Sequence, residues 1–354
     1  MTITKILVVI PTLNEKAHIE KCLRSLCSGA DDKHPFDIVV SDGASTDGTQ
    51  TIVENLMSEL PGLKLVHNAQ QIQSAGINFA VQQCARADHR VLVRCDAHAV
   101  YPPNFVADLV DTLDRTDAQS VVISMDSRGN TAFGRAAAWI ADTRLGAGGS
   151  AHRGGHKSGF VDHGHHAAFD LAWFRKAGGY DASFSHNEDA ELDFRLTSMG
   201  AKIWMESTIR IDYVMRPNLA SLARQYWNYG RGRCRTVCKH NMRLKLRQAI
   251  PILNFLGIIL CLCLSDLSAA FLILPLAYFG TLAVCSPFAA FSMQRLGGLW
   301  AGPALFVMHN AWAVGFIRSW LSHTKDQRKV FRSVRKYPTP DGTQPPQHRA
   351  VASR

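Results

Sequence analysis

The chain has 354 residues, a formal net charge of +10 and a hydrophobic fraction of 47%. Its Lys and Arg residues crowd 231–247 and 318–336, next to apolar runs at 252–291 and 297–317. Because these basic clusters adjoin apolar runs and lack interleaved aromatic residues, the composition argues against a nucleic-acid partner and favours a membrane anchor with cytoplasmic basic flanks. The nine cysteines form no C-x-x-C pair, which predicts buried thiols in a reducing compartment. No signal peptide is expected, because the first apolar run, at 6–10, is too short.

Strands and helices alternate along the first hundred residues. Apolar strands are predicted at 5–10, 36–40, 63–67 and 90–95, and apolar residues at helical spacing lie between them. This alternation predicts a parallel sheet flanked by helices. Neither a G-x-G-x-x-G motif after the first strand nor a Walker lysine loop is present, so neither standard phosphate-binding loop applies.

Polar residues follow three of these strands, in the segments PTLNE (11–15), SDGASTDGTQ (41–50) and CDAH (95–98). Ligands of open α/β sheets bind beyond the carboxyl ends of the strands, so Asp42 is expected to face a ligand and to accept a hydrogen bond from an imide N–H such as that of uracil. Asp47 is expected to cap the following helix. Asp96 and His98 could bind one ion together, although Asp is also a common helix-entry residue.

A stretch rich in glycine and histidine, at 146–166, interrupts the predicted elements. Loops of this length inside a compact domain are usually functional or disordered. Its five histidines have no Cys or carboxylate partner at fixed ligand spacing, which argues against a structural zinc site. We therefore expect a mobile lid over a bound ligand, with His or Lys groups facing that ligand.

The three strand-end motifs, in this order and spacing, resemble those of the family 2 nucleotide-sugar glycosyltransferases of GT-A fold, over residues 5–233. With the apolar C-terminal part, the layout is similar to that of bacterial succinoglycan-type exopolysaccharide glycosyltransferases. The resemblance implies an α/β, Rossmann-like nucleotide-sugar-binding domain followed by a helical membrane region. It also implies which residues contact the nucleotide-sugar: Pro11, Thr12, Asn14, Glu15, Asp42 and Asp96.

The same resemblance implies a divalent metal, Mn²⁺ or Mg²⁺, held on the donor pyrophosphate by Asp96 and His98. His98 stands where the family has a second acid. Histidine ligates Mn²⁺ well whereas Mg²⁺ prefers oxygen ligands, so the departure affects which metal binds.

The segment HNEDAELDFRL, at 186–196, is the second candidate catalytic segment. Acidic residues at a helix N-terminus are favoured by the helix dipole alone, which is the structural explanation for them. The resemblance instead places the acceptor-activating base here, and it implies Asp189 as that base with Glu188 in support.

Residues 225–233, QYWNYGRGR, resemble the Q-x-x-R-W segment of processive family members. The resemblance implies nucleotide-sugar contacts by Gln225, Tyr229, Arg231 and Arg233. Asn228 and Tyr229 replace the Arg and Trp of that motif, which argues for addition of a single sugar. Arg231 and Arg233 could neutralise the leaving diphosphate or bind lipid head groups, since guanidinium groups pair with phosphate in both cases.

Four regions are expected: a GT-A domain at 1–217, an amphipathic and basic linker helix at 218–248, a transmembrane region at 249–320 and a basic, disordered tail at 321–354. Residues 252–291 have the length of two short spans and 299–320 of a third. Basic flanks on both sides predict that both ends are cytoplasmic, which requires an even number of crossings. Three spans would conflict with that requirement.

The sequence therefore predicts an inverting glycosyltransferase of the cytoplasmic membrane, with its catalytic domain on the cytoplasmic side. It would transfer a hexose, with glucose expected, from a UDP-sugar to a lipid-linked oligosaccharide, in contact with membrane lipids and with other polysaccharide-assembly proteins. A polyprenyl-phosphate sugar synthase and a non-catalytic nucleotide-sugar-binding scaffold are the alternatives. Asp42, Asp96 and Asp189 together favour an enzyme.

Overall fold

The computed structural model describes residues 5–29, 33–149, 153 and 155–336. Within these residues, eight strands form one mixed sheet in the order β3-β2-β1-β4-β7-β5-β8-β6. The first four strands pair in parallel, whereas β7 runs antiparallel between β4 and β5. The strands are β1 (Lys5–Thr12), β2 (Phe36–Asp42), β3 (Leu63–His67), β4 (His89–Arg94), β5 (Ser120–Arg128), β6 (Gly159–Val161), β7 (His165–Asp170) and β8 (Ile203–Val214).

Helices cover both faces of the sheet and continue beyond it. Those of the first 200 residues are α1 (Ile19–Cys27), α2 (Thr49–Leu56), α3 (Gln73–Cys84), α4 (Phe105–Thr116), α5 (Ala132–Ala141), α6 (Arg144–Ala147), α7 (Leu171–Lys176) and α8 (Glu188–Ser198). After β8 come α9 (Leu219–His240), α10 (Leu246–Cys263), α11 (Ile273–Ser292) and α12 (Ala301–Lys336).

Residues 6–10 of strand β1 are all apolar because both faces of the strand are buried there. Ile6 and Val8 pack into the core on the α1 and α4 side of the sheet, while Leu7 and Val9 pack into the core under α3 and α7. The predicted parallel sheet over the first hundred residues is confirmed.

The sequence predicted that the stretch 146–166 is a loop, but part of it forms strands. It contains β6 and the first residues of β7, and β7 lies in the middle of the sheet. This strand is short and begins with His165, so its strand conformation depends on pairing with β4 and β5 rather than on a local apolar pattern. Residues 150–152 and 154 of the predicted lid lie outside the described residues.

Helix α9 packs closely against both α12 and the start of α8, because glycines lie at the contacts. A Cβ atom on Gly230 would lie 2.1 Å from the carbonyl oxygen of Trp312. A Cβ on Gly232 would lie 2.7 Å from the Cβ of Asn187, which immediately precedes α8. Helix α9 therefore connects the C-terminal helices with the start of α8.

Two helical segments of the described chain are long and apolar enough to cross a membrane, Leu246–Cys263 and Ala269–Ser292. Many of their large apolar side chains are exposed, including Leu253, Leu260 and Phe291. The third predicted span does not meet this test: it forms the first part of α12, where Leu305 and Met308 are buried in the core formed with α5 and α11. Two candidate spans would agree with the even number of crossings that the basic flanks predict.

The helix bounds differ from the predicted region boundaries at two places. Helix α10 begins at Leu246, inside the predicted linker, and α12 continues to Lys336, inside the predicted tail. Residues 337–354 of that tail lie outside the described residues.

Candidate active site

The turns after β1 and β2 are joined by hydrogen bonds. Asn14, whose φ of 57° lies in the left-handed region, donates its backbone N–H to Ser45 Oγ at 2.8 Å. Its side-chain oxygen accepts the N–H of Thr46 at 2.8 Å, and the N–H of Glu15 donates to Thr49 Oγ1 at 2.9 Å. The PTLNE and SDGASTDGTQ turns are thus held together at one edge of the sheet.

Asp42 is the last residue of β2 and is buried. Its carboxylate accepts hydrogen bonds from the N–H and hydroxyl of Ser45 at 2.9 and 2.5 Å, from the Gln50 amide at 2.5 Å and from the Thr12 hydroxyl at 3.2 Å. Burial raises the pKa of Asp42, but these hydrogen bonds outweigh it and lower the pKa below its usual value. Asp42 is therefore an ionised acceptor, and a nucleoside N–H would share its oxygens with Ser45 or Gln50. Asp47 instead accepts the N–H of the first residue of α2 and caps that helix.

Asp96 follows β4 and lines a cleft. It accepts a hydrogen bond from the Gln73 amide at 3.1 Å, and Nε2 of His165 lies 3.5 Å from its other oxygen. Burial raises the pKa of Asp96, but the imidazole and neighbouring positive charge lower it well below its usual value. His98 has 61% of its side chain exposed, and its Nδ1 lies 3.1 Å from Glu15 Oε1. That contact raises the pKa of His98.

These residues offer donors that suit a divalent cation. Asp96 and His98 provide one carboxylate and one imidazole on the cleft, and Glu15 adds a carboxylate beside His98, a mixture that Mn²⁺ accepts. In the part of the chain that the structure describes, no three His, Cys, Asp or Glu groups form a complete metal site. A cation here would need further ligands, which nucleotide phosphates commonly supply.

Arg94, the last residue of β4, is a site residue that the sequence analysis missed. Its side chain is 4% exposed, pairs with Asp189, and lies 3.5 Å from Glu188 and 3.6 Å from Asp96. It also donates to the Tyr180 hydroxyl at 3.2 Å. One buried guanidinium thus brings the carboxylates of two motifs together. Its position at the carboxyl end of a strand could have indicated this, because ligands of open α/β sheets bind beyond these strand ends.

The predicted acidic pair opens α8, immediately after Asn187 in the left-handed region at φ 66°. Burial and the charge of Asp189 raise the pKa of Glu188 to about 7, against the opposing effect of Arg94. A pKa close to neutral suits a general base, so Glu188 is a second candidate for accepting a proton, beside Asp189. Both lie on the same cleft as Asp96.

Part of the histidine-rich stretch reaches the same site. The ring of His165 lies between two motifs, with Nε2 3.5 Å from Asp96 and Nδ1 3.9 Å from Asp189. His163 pairs with the buried Asp193 at 2.7 Å. His165 therefore contacts carboxylates of the site, whereas His163 pairs with a buried carboxylate of α8. Sequence reasoning did not assign these partners.

The cleft has a volume of about 1260 Å³ and extends from Asp96 to the C-terminal helices. Three residues that were predicted to contact the nucleotide-sugar line this cleft: Gln225, Tyr229 and Arg233. Arg231 is exposed and is not among the lining residues, so of the two arginines predicted to face diphosphate only Arg233 reaches the cleft. This volume exceeds the roughly 300–1,000 Å³ of common ligand pockets, and it is sufficient for two substrates.

An α/β sheet with acidic strand ends and an acidic helix start on one cleft is the arrangement predicted for a glycosyltransferase of GT-A fold. The family model for Glycosyl transferase family 2 matches residues 7–178. The chain is 37% identical over 339 residues to the succinoglycan biosynthesis protein ExoA of Rhizobium meliloti (strain 1021), a match that covers 91% of this chain and 96% of that protein. The chain therefore belongs to glycosyl transferase family 2 and is a glycosyltransferase of the exopolysaccharide type.

Two more distant proteins are also similar. A mannosyltransferase from Pyrobaculum calidifontis, solved in complex with GDP-Man and Mn²⁺, has a TM-score of 0.61 and 18% identity, and the match covers 89% of this chain and 87% of that one. The dolichyl N-acetyl-alpha-D-glucosaminyl phosphate 3-beta-D-2,3-diacetamido-2,3-dideoxy-beta-D-glucuronosyltransferase of Methanococcus voltae is 22% identical over 231 residues, covering 63% of this chain and 71% of that protein. The structural likeness confirms the predicted GT-A fold.

Proposed function

We propose that this glycosyltransferase is anchored in the cytoplasmic membrane and transfers a hexose, glucose, from a UDP-sugar to a hydroxyl of a lipid-linked oligosaccharide. The observation that carries the proposal is the extent of one cleft. It is lined by Asp96 and Asp189, and also by Arg247 and Ile250 in the first turns of α10, a candidate membrane span. An acceptor anchored in the bilayer could present its sugar to the carboxylates without leaving the membrane.

The donor would bind at the ends of β1, β2 and β4. The PTLNE turn and Asp42 would hold the nucleoside, with Asp42 accepting the imide N–H of uracil. Asp96 and His98 would hold Mn²⁺ or Mg²⁺, which when bound would neutralise charge on the donor diphosphate. The GDP-Man and Mn²⁺ bound to the Pyrobaculum calidifontis mannosyltransferase support a donor of this class.

Asp189 would act as the general base. It would accept the proton of the acceptor hydroxyl while that oxygen bonds to the anomeric carbon, and the bond to the diphosphate would break with its electron pair leaving on the nucleotide. Such assistance is typically worth about 10²–10⁴-fold in rate. A single displacement inverts the anomeric configuration and needs one carboxylate, unlike the two of a glycosidase. Arg94 would keep Asp189 in position.

Transfer assays with purified protein test this function. We would supply a panel of UDP-sugars and lipid-linked oligosaccharides, and determine the anomeric configuration of the product by NMR. We expect one preferred UDP-sugar and a β-linked product from an α-linked donor. A product that kept the α configuration would contradict the mechanism. Transfer to polyprenyl phosphate that persists in Asp189→Asn would indicate a sugar-phosphate synthase, and donor binding without turnover would indicate a scaffold.

A further inference from the structure

Tyr180 follows two glycines in the turn after α7, and its side chain is buried beside the carboxylates that open α8. Its hydroxyl oxygen lies 3.2 Å from Nη1 of Arg94 and 3.2 Å from Oδ1 of Asp189. The same nitrogen of Arg94 also donates to the same oxygen of Asp189. These three groups therefore form a triangle of hydrogen bonds that includes the proposed base.

The direction of these hydrogen bonds follows from the chemistry of the groups. A guanidinium group can only donate, and an ionised carboxylate can only accept. The Tyr180 hydroxyl therefore accepts from Arg94 and donates its single proton to Asp189. Burial raises the pKa of the Tyr180 hydroxyl well above its usual value, so this proton stays on the hydroxyl at neutral pH.

Helix α3 holds the backbone of Tyr180. The Tyr180 N–H donates to Asn78 Oδ1 at 2.9 Å, and Asn78 Nδ2 donates to the Tyr180 carbonyl oxygen at 2.7 Å. Gly179 permits this close approach, because its φ is 69° and a Cβ there would lie 2.4 Å from Asn78 Oδ1. Tyr180 therefore cannot shift along the turn without breaking both hydrogen bonds.

The ring of Tyr180 and the turn before it are held by three more elements. The ring packs edge-on against Phe169 of β7 and Phe174 of α7, with centroid distances of 6.2 and 5.6 Å. Arg195 of α8 donates to the carbonyl oxygens of Ala177 and Gly179, which joins the turn to the helix that carries the proposed base. The position of the hydroxyl relative to this base is thus fixed by packing and by backbone hydrogen bonds.

Arg94 alone would hold the base less firmly, because its guanidinium also lies 3.5 Å from Glu188 and 3.6 Å from Asp96. A hydroxyl fixed by packing supplies Asp189 with a second donor from another element. Proton transfer requires the base to lie within hydrogen-bond reach of the proton, and small misplacements of reacting groups lower the rate. A second fixed donor would therefore increase the fraction of time in which the base is correctly oriented.

We propose that Tyr180 is a positioning residue for the transfer reaction, whose hydroxyl holds the carboxylate of Asp189 in the orientation that accepts the proton of the acceptor. This inference rests on the proposed function, because it concerns the base of that reaction. Among the described residues that line the cleft, Asp189 is included and Tyr180 is not, so Tyr180 acts through Asp189 rather than on a substrate.

Tyr180→Phe tests this role, because it removes the hydroxyl and keeps the packing of the ring. We expect kcat to fall about tenfold, equivalent to about 1.4 kcal/mol of activation free energy. KM for the UDP-sugar and for the acceptor should stay within about twofold, and so should the Kd of UDP measured by calorimetry. A role confined to folding would instead lower the fraction of protein that binds UDP and leave kcat per binding site unchanged.

Tyr278→Phe is the matched control. It makes the same chemical change on α11, at a hydroxyl that accepts a hydrogen bond from Asn310 at 3.1 Å, and Tyr278 is not a lining residue of the cleft. This variant should keep the wild-type kcat.

A double variant shows whether the hydroxyl acts through the base. Tyr180→Phe combined with Asp189→Asn should transfer at the residual rate of Asp189→Asn alone, because the group that the hydroxyl positions has already lost its function. Two independent effects would instead add, and the double variant would be about tenfold slower.

Three outcomes would overturn the positioning role. They are an unchanged kcat in Tyr180→Phe, a higher KM for the UDP-sugar at unchanged kcat, and a further tenfold fall in the double variant. If Asp189→Asn is inactive while Tyr180→Phe is fully active, only the positioning role is rejected and the proposed function stands. If Asp189→Asn keeps most of its transferase activity, the proposed base itself is wrong.

Discussion

Arg94 explains how three carboxylates can lie together in a largely buried site. Its side chain is 4% exposed and lies within 4 Å of Asp96, Glu188 and Asp189. Without a cation these groups would repel one another when ionised, and burial would strengthen the repulsion. We therefore expect Arg94 to be required for the geometry of the proposed catalytic pair, Glu188 and Asp189.

Replacing Arg94 by Gln should therefore lower stability and transfer rate together. Removing one partner of a buried ion pair costs about 3–5 kcal/mol, which thermal unfolding can detect. Arg94→Lys keeps the charge and should restore part of the loss. The control is Arg90→Gln on the same strand, whose ion pair with Asp114 is exposed and should be worth about 1 kcal/mol or less. Equal stability of Arg94→Gln and Arg90→Gln would contradict this role.

The second prediction at this scale concerns the metal. A chelator should abolish transfer, and Mn²⁺ should restore it better than Mg²⁺, because His98 supplies a nitrogen ligand. His98→Asp should shift the preference toward Mg²⁺, as measured by calorimetric titration of UDP with each metal. His18→Asp, an exposed change on α1's N-terminal side, should keep the wild-type preference. Full transfer activity in the presence of the chelator would rule out the site.

At the scale of elements, local patterns predicted β1 to β4 and the acidic start of α8, because each is coded by neighbouring residues. Long-range pairings were not predictable in this way. Strand β7 depends on pairing with β4 and β5, and Arg94 meets Asp189 across 95 positions of sequence. Hydropathy also could not distinguish the start of α12, buried against protein, from a helix exposed to lipid.

The contact between α9 and α8 gives a prediction at the same scale. Gly232→Ala places a Cβ 2.7 Å from Asn187, so the residues before Glu188 must shift, at a cost of about 1–3 kcal/mol. Gly230→Ala is more crowded, but against α12, where the Cβ would lie 2.1 Å from the Trp312 carbonyl oxygen. Both variants should lose stability, and Gly232→Ala should lose more of kcat. If kcat fell equally in the two variants, α9 would not position the proposed catalytic pair, Glu188 and Asp189.

For the whole molecule, two crossings by the candidate spans would place the catalytic domain and α12 on one side of the membrane and the turn after α10 on the other. In a variant whose native cysteines, including the exposed Cys263, are replaced by Ser, a membrane-impermeant thiol reagent should label Asp266→Cys in intact cells, because Asp266 lies in that turn. Lys33→Cys, exposed on the catalytic domain, should be labelled only after permeabilisation. Labelling of both positions from the same side would contradict the two-span arrangement.

The role of Asp189 is tested most directly by measuring transfer and UDP binding on the same preparation of Asp189→Asn. We expect transfer to fall by about 10²-fold or more while UDP affinity stays within about twofold, because the base acts on the acceptor and not on the nucleotide. Glu188→Gln should retain more activity, although the raised pKa of Glu188 makes it the competing base. Asp189→Asn that kept most of its transferase activity, with Glu188→Gln inactive, would contradict the proposed mechanism.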